Sequence, residues 1–99
     1  MNKKQIAILG STGSIGTQAL EVVQTHPDSF RVAALTAGNN VDLLISQSLA
    51  FRPDLAVIGD EGKYAQLHAA LSGSGIRTAA GKEGLIEAAT LPAVHTVLT

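Results

Sequence analysis

The chain has 99 residues, of which 45% are hydrophobic and 15% charged, with a net charge of −1 and no cysteine. This length sets one domain as the ceiling, the charge balance argues against a nucleic-acid surface, and disulfide and thiol chemistry are excluded. No apolar run approaches the roughly 20 residues of a membrane span, and the stretch after Lys3-Lys4 is too short for a signal peptide, so the expected location is the cytoplasm. The charged share is well below the ~25% usual in soluble domains, which suggests that part of the surface is covered by something else.

The rest of the sequence alternates strand-like and helix-like stretches. Residues 5–9 (QIAIL) read as a buried strand. Gly10-Ser11-Thr12-Gly13-Ser14-Ile15-Gly16 follows and opens a helical stretch. Over residues 14–25, Ile15, Ala19, Val22 and Val23 fall on one helical face, and Pro27 ends that helix by disfavouring helical geometry in His26. Residues 30–36 (FRVAALT) form a second strand and Ala37-Gly38-Asn39-Asn40 a turn. Residues 41–51 put Val41, Leu44, Ile45 and Ser48 on one helical face, before Arg52-Pro53-Asp54 breaks the pattern. A third strand covers 55–58, a third helix 62–71, a glycine-serine turn 72–75, a fourth strand 76–79, a short helix 82–89 and a fifth strand 94–98.

Strands separated by helices imply a parallel sheet with helices on both faces, an α/β, Rossmann-like, doubly wound fold with right-handed crossovers. The expected strand order is 3-2-1-4-5, with the glycine corner at the switch point beside the first strand. A stop directly after a strand makes the chain look like the N-terminal part of a longer enzyme. A small, complete five-stranded module is the alternative.

A strand, a glycine turn and a helix in that order make a phosphate-binding corner, because glycines let the backbone approach an anion and first-turn N–H groups point at it. In this reading Gly10 turns sharply at the strand end, and Gly13 sits where a side chain would block a pyrophosphate. Gly16 lets helix and strand pack closely, Ser14 caps the helix, and Ile15 covers the ligand or anchors the helix. The mononucleotide P-loop does not fit: five residues separate Gly10 from Gly16, and no lysine precedes Thr17. A turn without ligand is the bland alternative. At the end of the second strand no carboxylate precedes Asp42. Such a carboxylate would grip ribose hydroxyls and repel a 2′-phosphate, so its absence leaves room for NADP. Gly38 brings the backbone close, and the Asn39 and Asn40 amides can donate hydrogen bonds. The expectation is tighter binding of NADPH than of NADH, against plain turn chemistry for the two asparagines.

The remaining polar residues read as structural. Asp60 is an N-cap and Glu61 a first-turn charge; Glu83 and Glu87 lie four apart on a solvated face. His26, His68 and His95 show no ligand spacing, and Tyr64 lacks the lysine of a Tyr-x-x-x-Lys dyad.

The run from Ile8 to Val23, then His26-Pro27, Phe30-Arg31-Val32, Ala37-Gly38-Asn39-Asn40 and Pro53-Asp54-Leu55-Ala56-Val57, closely resembles the N-terminus of the 1-deoxy-D-xylulose 5-phosphate reductoisomerase family. The resemblance runs along the whole chain, which would be about the first quarter of such an enzyme. It implies an NADPH-dependent oxidoreductase of non-mevalonate isoprenoid biosynthesis. Such an enzyme rearranges 1-deoxy-D-xylulose 5-phosphate with a divalent metal (Mn or Mg) and reduces the product to 2-C-methyl-D-erythritol 4-phosphate. Carried over residue by residue, Thr12, Gly13, Ser14 and Ile15 match the family's pyrophosphate segment, and Gly38, Asn39 and Asn40 its adenosine-phosphate segment. Many members have lysine where this chain has Asn39. The family's Asn-Lys-Glu-Ser segment, acidic metal ligands, lid and C-terminal helical domain lie past residue 99, so no catalytic or metal residue is carried over. Residues 1–99 then form the N-terminal part of an NADPH-binding domain, inactive alone, within a cytoplasmic homodimer acting on a small phosphorylated substrate without nucleic acid or membrane. The alternatives are a dehydrogenase of the aspartate-semialdehyde type, which begins with a similar glycine corner, and a non-catalytic NADP-binding module.

Overall fold

The structure is a computed structural model that describes residues 3–92, 94 and 96–98. In chain order the elements are β1 (Lys4–Leu9), α1 (Ser14–Thr25), β2 (Phe30–Ala37), α2 (Val41–Phe51), β3 (Leu55–Ile58), a 3-10 turn (Glu61–Lys63), α3 (Tyr64–Leu71), β4 (Arg77–Ala80), α4 (Gly81–Ala89) and β5 (Thr96–Leu98). His95 lies outside the described residues.

All pairings are parallel, in one sheet of order β4-β3-β2-β1-β5. The doubly wound expectation holds and the expected order does not: β4 lies outside β3, and it is β5 that crosses to the far side of β1. Alternation of strands and helices does not encode which crossover reverses direction; the side chains do. Leu67, Leu71 and Ile76 around the third helix join the same core as Leu20, Val23 and Leu44, which draws β4 to the open edge of β3 on that side. The next helix instead packs Ala88 against Ala7, Ala34, Leu55 and Val57 on the other face. The small alanines there let α4 lie across β1 to β4 and deliver the chain to β5.

Handedness explains this division. The steps β1→β2→β3→β4 all run one way, so right-handed crossovers put α1, α2 and α3 on one face; the return step to β5 puts α4 on the other. A register shift between Ile6 and Ala7 leaves Ala33 unpaired in the ladder, and Leu35 and Ala37 thereby join Val32 on the three-helix face. The order of strand addition reverses at β1, with β2 on one side and β5 on the other, so the corner after β1 sits at the switch point, where open α/β sheets bind ligands. Among the described residues no helix is long and apolar enough to cross a membrane.

The rotation of α1 differs from the expected one. Its buried residues are Gly16, Leu20 and Val23, while Ile15 and Val22 are 70% and 51% exposed. Gly16 sets that phase. A Cβ there would lie 2.3 Å from the Gly10 carbonyl oxygen and 2.6 Å from Ser11 Cα, so only glycine allows the helix to come this close to the turn. Residues four and seven positions on then face the sheet as well. On α2, Gln47 is buried beside Val41, Leu44 and Ser48, and Ile45 is partly buried.

Candidate functional site

Strand β1 ends at Leu9, and Gly10 turns the chain with φ +78°, a conformation favoured only for glycine. The turn is fastened from its inner side. The Gly10 N–H donates to Thr36 Oγ1 (3.0 Å) and the Ser11 N–H to the Thr36 carbonyl (2.7 Å), which ties the corner to β2. The fully buried Ser11 hydroxyl donates to Gln47 Oε1 (2.7 Å), and Gln47 Nε2 donates back to the Ser11 carbonyl (2.9 Å). Gly13 N–H donates to the Gly10 carbonyl (3.1 Å).

The outer side is free for a ligand. The bond from Thr17 N–H to the Gly13 carbonyl (2.9 Å) opens the helix, so the amides of Ser14, Ile15 and Gly16 precede any intrahelical acceptor. The first turn of α1 carries no acidic residue, and its partial positive charge is not neutralised. A groove of about 500 Å³ adjoins it, floored by Ile8 and Leu9 and walled by Ile15 and Ala19. Gly13 has ordinary extended geometry (φ −82°, ψ 177°). A Cβ there would meet only the Gly10 carbonyl oxygen, at 3.5 Å, an ordinary contact. The protein itself therefore leaves that space open, which fits a diphosphate lying against bare main chain. Two details differ from the sequence reading. The N-cap of α1 is Gly13, without a side-chain cap, and Ser14 is the first helical residue. Ile15 does not anchor the helix; it projects beside the groove.

The second candidate cluster lies beyond the adjacent strand, since Leu9 pairs with Thr36. Gly38, Asn39 and Asn40 are all exposed. Asn40 caps α2, its Oδ1 accepting from Leu43 N–H at 3.3 Å, so part of its role is turn chemistry. The segment after β3 extends the ladder: Gly59 N–H donates to the Ala37 carbonyl (2.7 Å) and Asp60 N–H to the Gly38 carbonyl (2.8 Å). Lys63 Nζ then donates to the Asn39 carbonyl at 2.9 Å. Thr36, Gln47 and Lys63 were not among the sequence candidates. Polar Thr36 and Gln47 on otherwise apolar faces were the available signals; Lys63 gave none, because it arrives from another loop.

The other polar residues have local partners. Asp60 Oδ1 accepts from Gly62 N–H (3.0 Å), capping the 3-10 turn. His68 is exposed, stacks on Tyr64, and has Nδ1 3.2 Å from Thr78 Oγ1, which itself donates to the Tyr64 hydroxyl (3.2 Å). Glu87 is ion-paired with Arg77 rather than simply solvated. His26 is the C-cap of α1, its N–H shared between the Val22 and Val23 carbonyls. Among the described residues no three His, Cys, Asp or Glu side chains gather closely enough to hold a metal ion.

Residues 6–99 match the family model for 1-deoxy-D-xylulose 5-phosphate reductoisomerase. The reductoisomerase of Bacteroides fragilis is 52% identical over 99 residues, all of this chain and 26% of that protein. That of Moorella thermoacetica is 54% identical over 95 residues, 96% of this chain and 25% of that protein. The chain thus spans about a quarter of the length of the curated relatives it matches. Among solved structures, the Zymomonas mobilis enzyme in complex with NADPH superposes with a TM-score of 0.88 at 38% identity, covering 93% of this chain and 24% of that one. A reductoisomerase in complex with NADPH, fosmidomycin and magnesium gives 0.89 at 38% identity, covering 95% and 23%.

Proposed function

The chain belongs to the 1-deoxy-D-xylulose 5-phosphate reductoisomerase family, and on that premise we propose that residues 1–99 are the N-terminal part of the NADPH-binding domain of such an enzyme. The whole protein would convert 1-deoxy-D-xylulose 5-phosphate to 2-C-methyl-D-erythritol 4-phosphate, as a cytoplasmic homodimer acting on a small phosphorylated substrate. The observation that carries this reading is the corner itself: free first-turn amides at Ser14 to Gly16, beside an open Gly13, in a chain matched to the family from residue 6 to residue 99. The family match does not favour the semialdehyde-dehydrogenase or non-catalytic alternatives.

In this reading Thr12, Gly13, Ser14 and Ile15 receive the pyrophosphate. The Ser14 and Ile15 amides supply donors where negative charge concentrates, and the Thr12 and Ser14 hydroxyls add to them. Ile15 lies along the coenzyme and shields that side from water. Gly38, Asn39 and Asn40 receive the adenosine phosphate. NADPH, once bound, supplies the hydride; the work of this portion is to hold and orient it. Metal ligands and catalytic groups lie outside these residues, so the portion alone turns over nothing.

The test is titration of the natural protein that carries this chain with NADPH, followed by nicotinamide fluorescence, together with substrate-dependent NADPH oxidation in Mn or Mg. Saturable binding and metal-dependent oxidation are expected. A protein that binds no NADPH contradicts the reading.

A further inference from the structure

We infer that Lys63 reads the 2′-phosphate of the coenzyme and so sets the preference for NADPH over NADH. This rests on the coenzyme reading above and names a residue which that reading does not contain. The turn after β2 is poorly equipped for a phosphate on its own account. It contains no Arg or Lys. The helix behind it starts with Asp42 in its first turn, which opposes the attraction of a helix N-terminus for an anion. The Asn39 and Asn40 side-chain amides offer only neutral donors. A dianionic group held here needs a cation from elsewhere.

Lys63 is that cation. Parallel-ladder bonds from Gly59 and Asp60 to the Ala37 and Gly38 carbonyls fix the loop after β3 against the turn. The Lys63 N–H donates to the Asp60 carbonyl (3.0 Å), and its ammonium to the Asn39 carbonyl (2.9 Å). An ammonium has three donors; with one on Asn39, the others remain for an anion at the exposed face of the turn. Among the described residues the ion pairs are Arg31–Asp54 and Arg77–Glu87, so no carboxylate lies within ion-pairing distance of Lys63. The side chain is half-buried, held in place but still in reach of ligand. The positive charge that the turn itself lacks is thus brought to it from the next loop.

The test compares Kd for NADPH and NADH, and for 2′,5′-ADP and 5′-ADP, in the natural protein and in Lys63→Met and Lys63→Arg, with thermal melts to confirm folding. Lys63→Met is expected to weaken NADPH roughly tenfold, ~1.4 kcal/mol, while NADH stays within about twofold. The 2′,5′-ADP and 5′-ADP pair should repeat that pattern, and Lys63→Arg should keep most of the preference. Raising salt should erode the preference of the natural protein more than that of Lys63→Met. An unchanged NADPH to NADH ratio in Lys63→Met overturns the proposal and leaves the coenzyme site standing. Failure of the natural protein to bind either dinucleotide overturns both.

Discussion

The corner after β1 and the turn after β2 are neighbours at the same end of the sheet, yet they are made differently. In the first, the outer side proposed for the ligand offers mainly main-chain amides, and the side chains that fasten the turn (Thr36, Ser11, Gln47) work from behind. In the second, the main chain is fastened by the following loop and the exposed side carries polar side chains, one of them from 24 residues away. A main-chain cradle tolerates almost no change in the residues that shape it. A side-chain site can be rebuilt by moving a charge from one loop to another. The first should therefore fail through the fold where packing is tight, at Gly16, and by loss of all coenzyme binding where space is open, at Gly13, and the second through specificity alone.

The strongest way to break this contrast is Gly16→Ala. The new Cβ would collide with the backbone at Gly10 and Ser11, so the helix or the turn must move. The expected loss is about 3 kcal/mol, read as an earlier unfolding midpoint in chemical denaturation of the natural protein. An unchanged midpoint would mean that α1 does not approach the turn as described.

Gln47→Leu asks whether the corner is held from behind. It removes the Gln47 partners of the buried Ser11 hydroxyl and of the Ser11 carbonyl while keeping similar bulk, and an orphaned buried group costs about 1–3 kcal/mol. Stability should fall by that amount in chemical denaturation, and NADPH affinity should fall with it because the corner is no longer fixed. Lost stability with unchanged affinity would show that the cradle does not depend on this support.

The smallest effect lies at the opposite end of the sheet, away from both sites. Arg31 donates through its two terminal guanidinium nitrogens to Asp54 (3.0 and 2.7 Å). That hydrogen bonding holds the Asp54 carboxyl below its ordinary value of 3.8. A depressed carboxylate adds stability above its unfolded pKa and loses it as pH falls through the folded one. Both side chains are well exposed, so the contribution is small. Asp54→Asn should be slightly less stable than the natural protein at neutral pH, with the gap closing below pH 3.8 and no change in coenzyme affinity at any pH. A gap that widens on acidification would contradict the cause given for the shift.

How far the sequence could be read follows the same division. The elements themselves were legible because apolar periodicity and proline breaks act locally. Gly10 and Gly16 were legible because a tight turn and a close helix leave no other choice of residue. The phase of α1 is not legible from Ile15 and Val22, because the constraint at Gly16 outweighs their hydrophobicity and those side chains stay outside. The strand order is not legible because the reversal is decided by which sheet face receives Leu67, Leu71 and Ile76, a matter of packing rather than pattern. Lys63 could not be found by any local motif, since its meeting with Asn39 exists only once β3 has paired with β2.

Gly13→Val tests the central claim most directly. Its backbone angles suit a β-branched residue, the protein leaves room for the Cβ, and the weaker cap should cost no more than about 1 kcal/mol. The account predicts a folded protein, by circular dichroism and thermal melt, that no longer binds NADPH in fluorescence titration. A folded Gly13→Val variant with the affinity of the natural protein would contradict it.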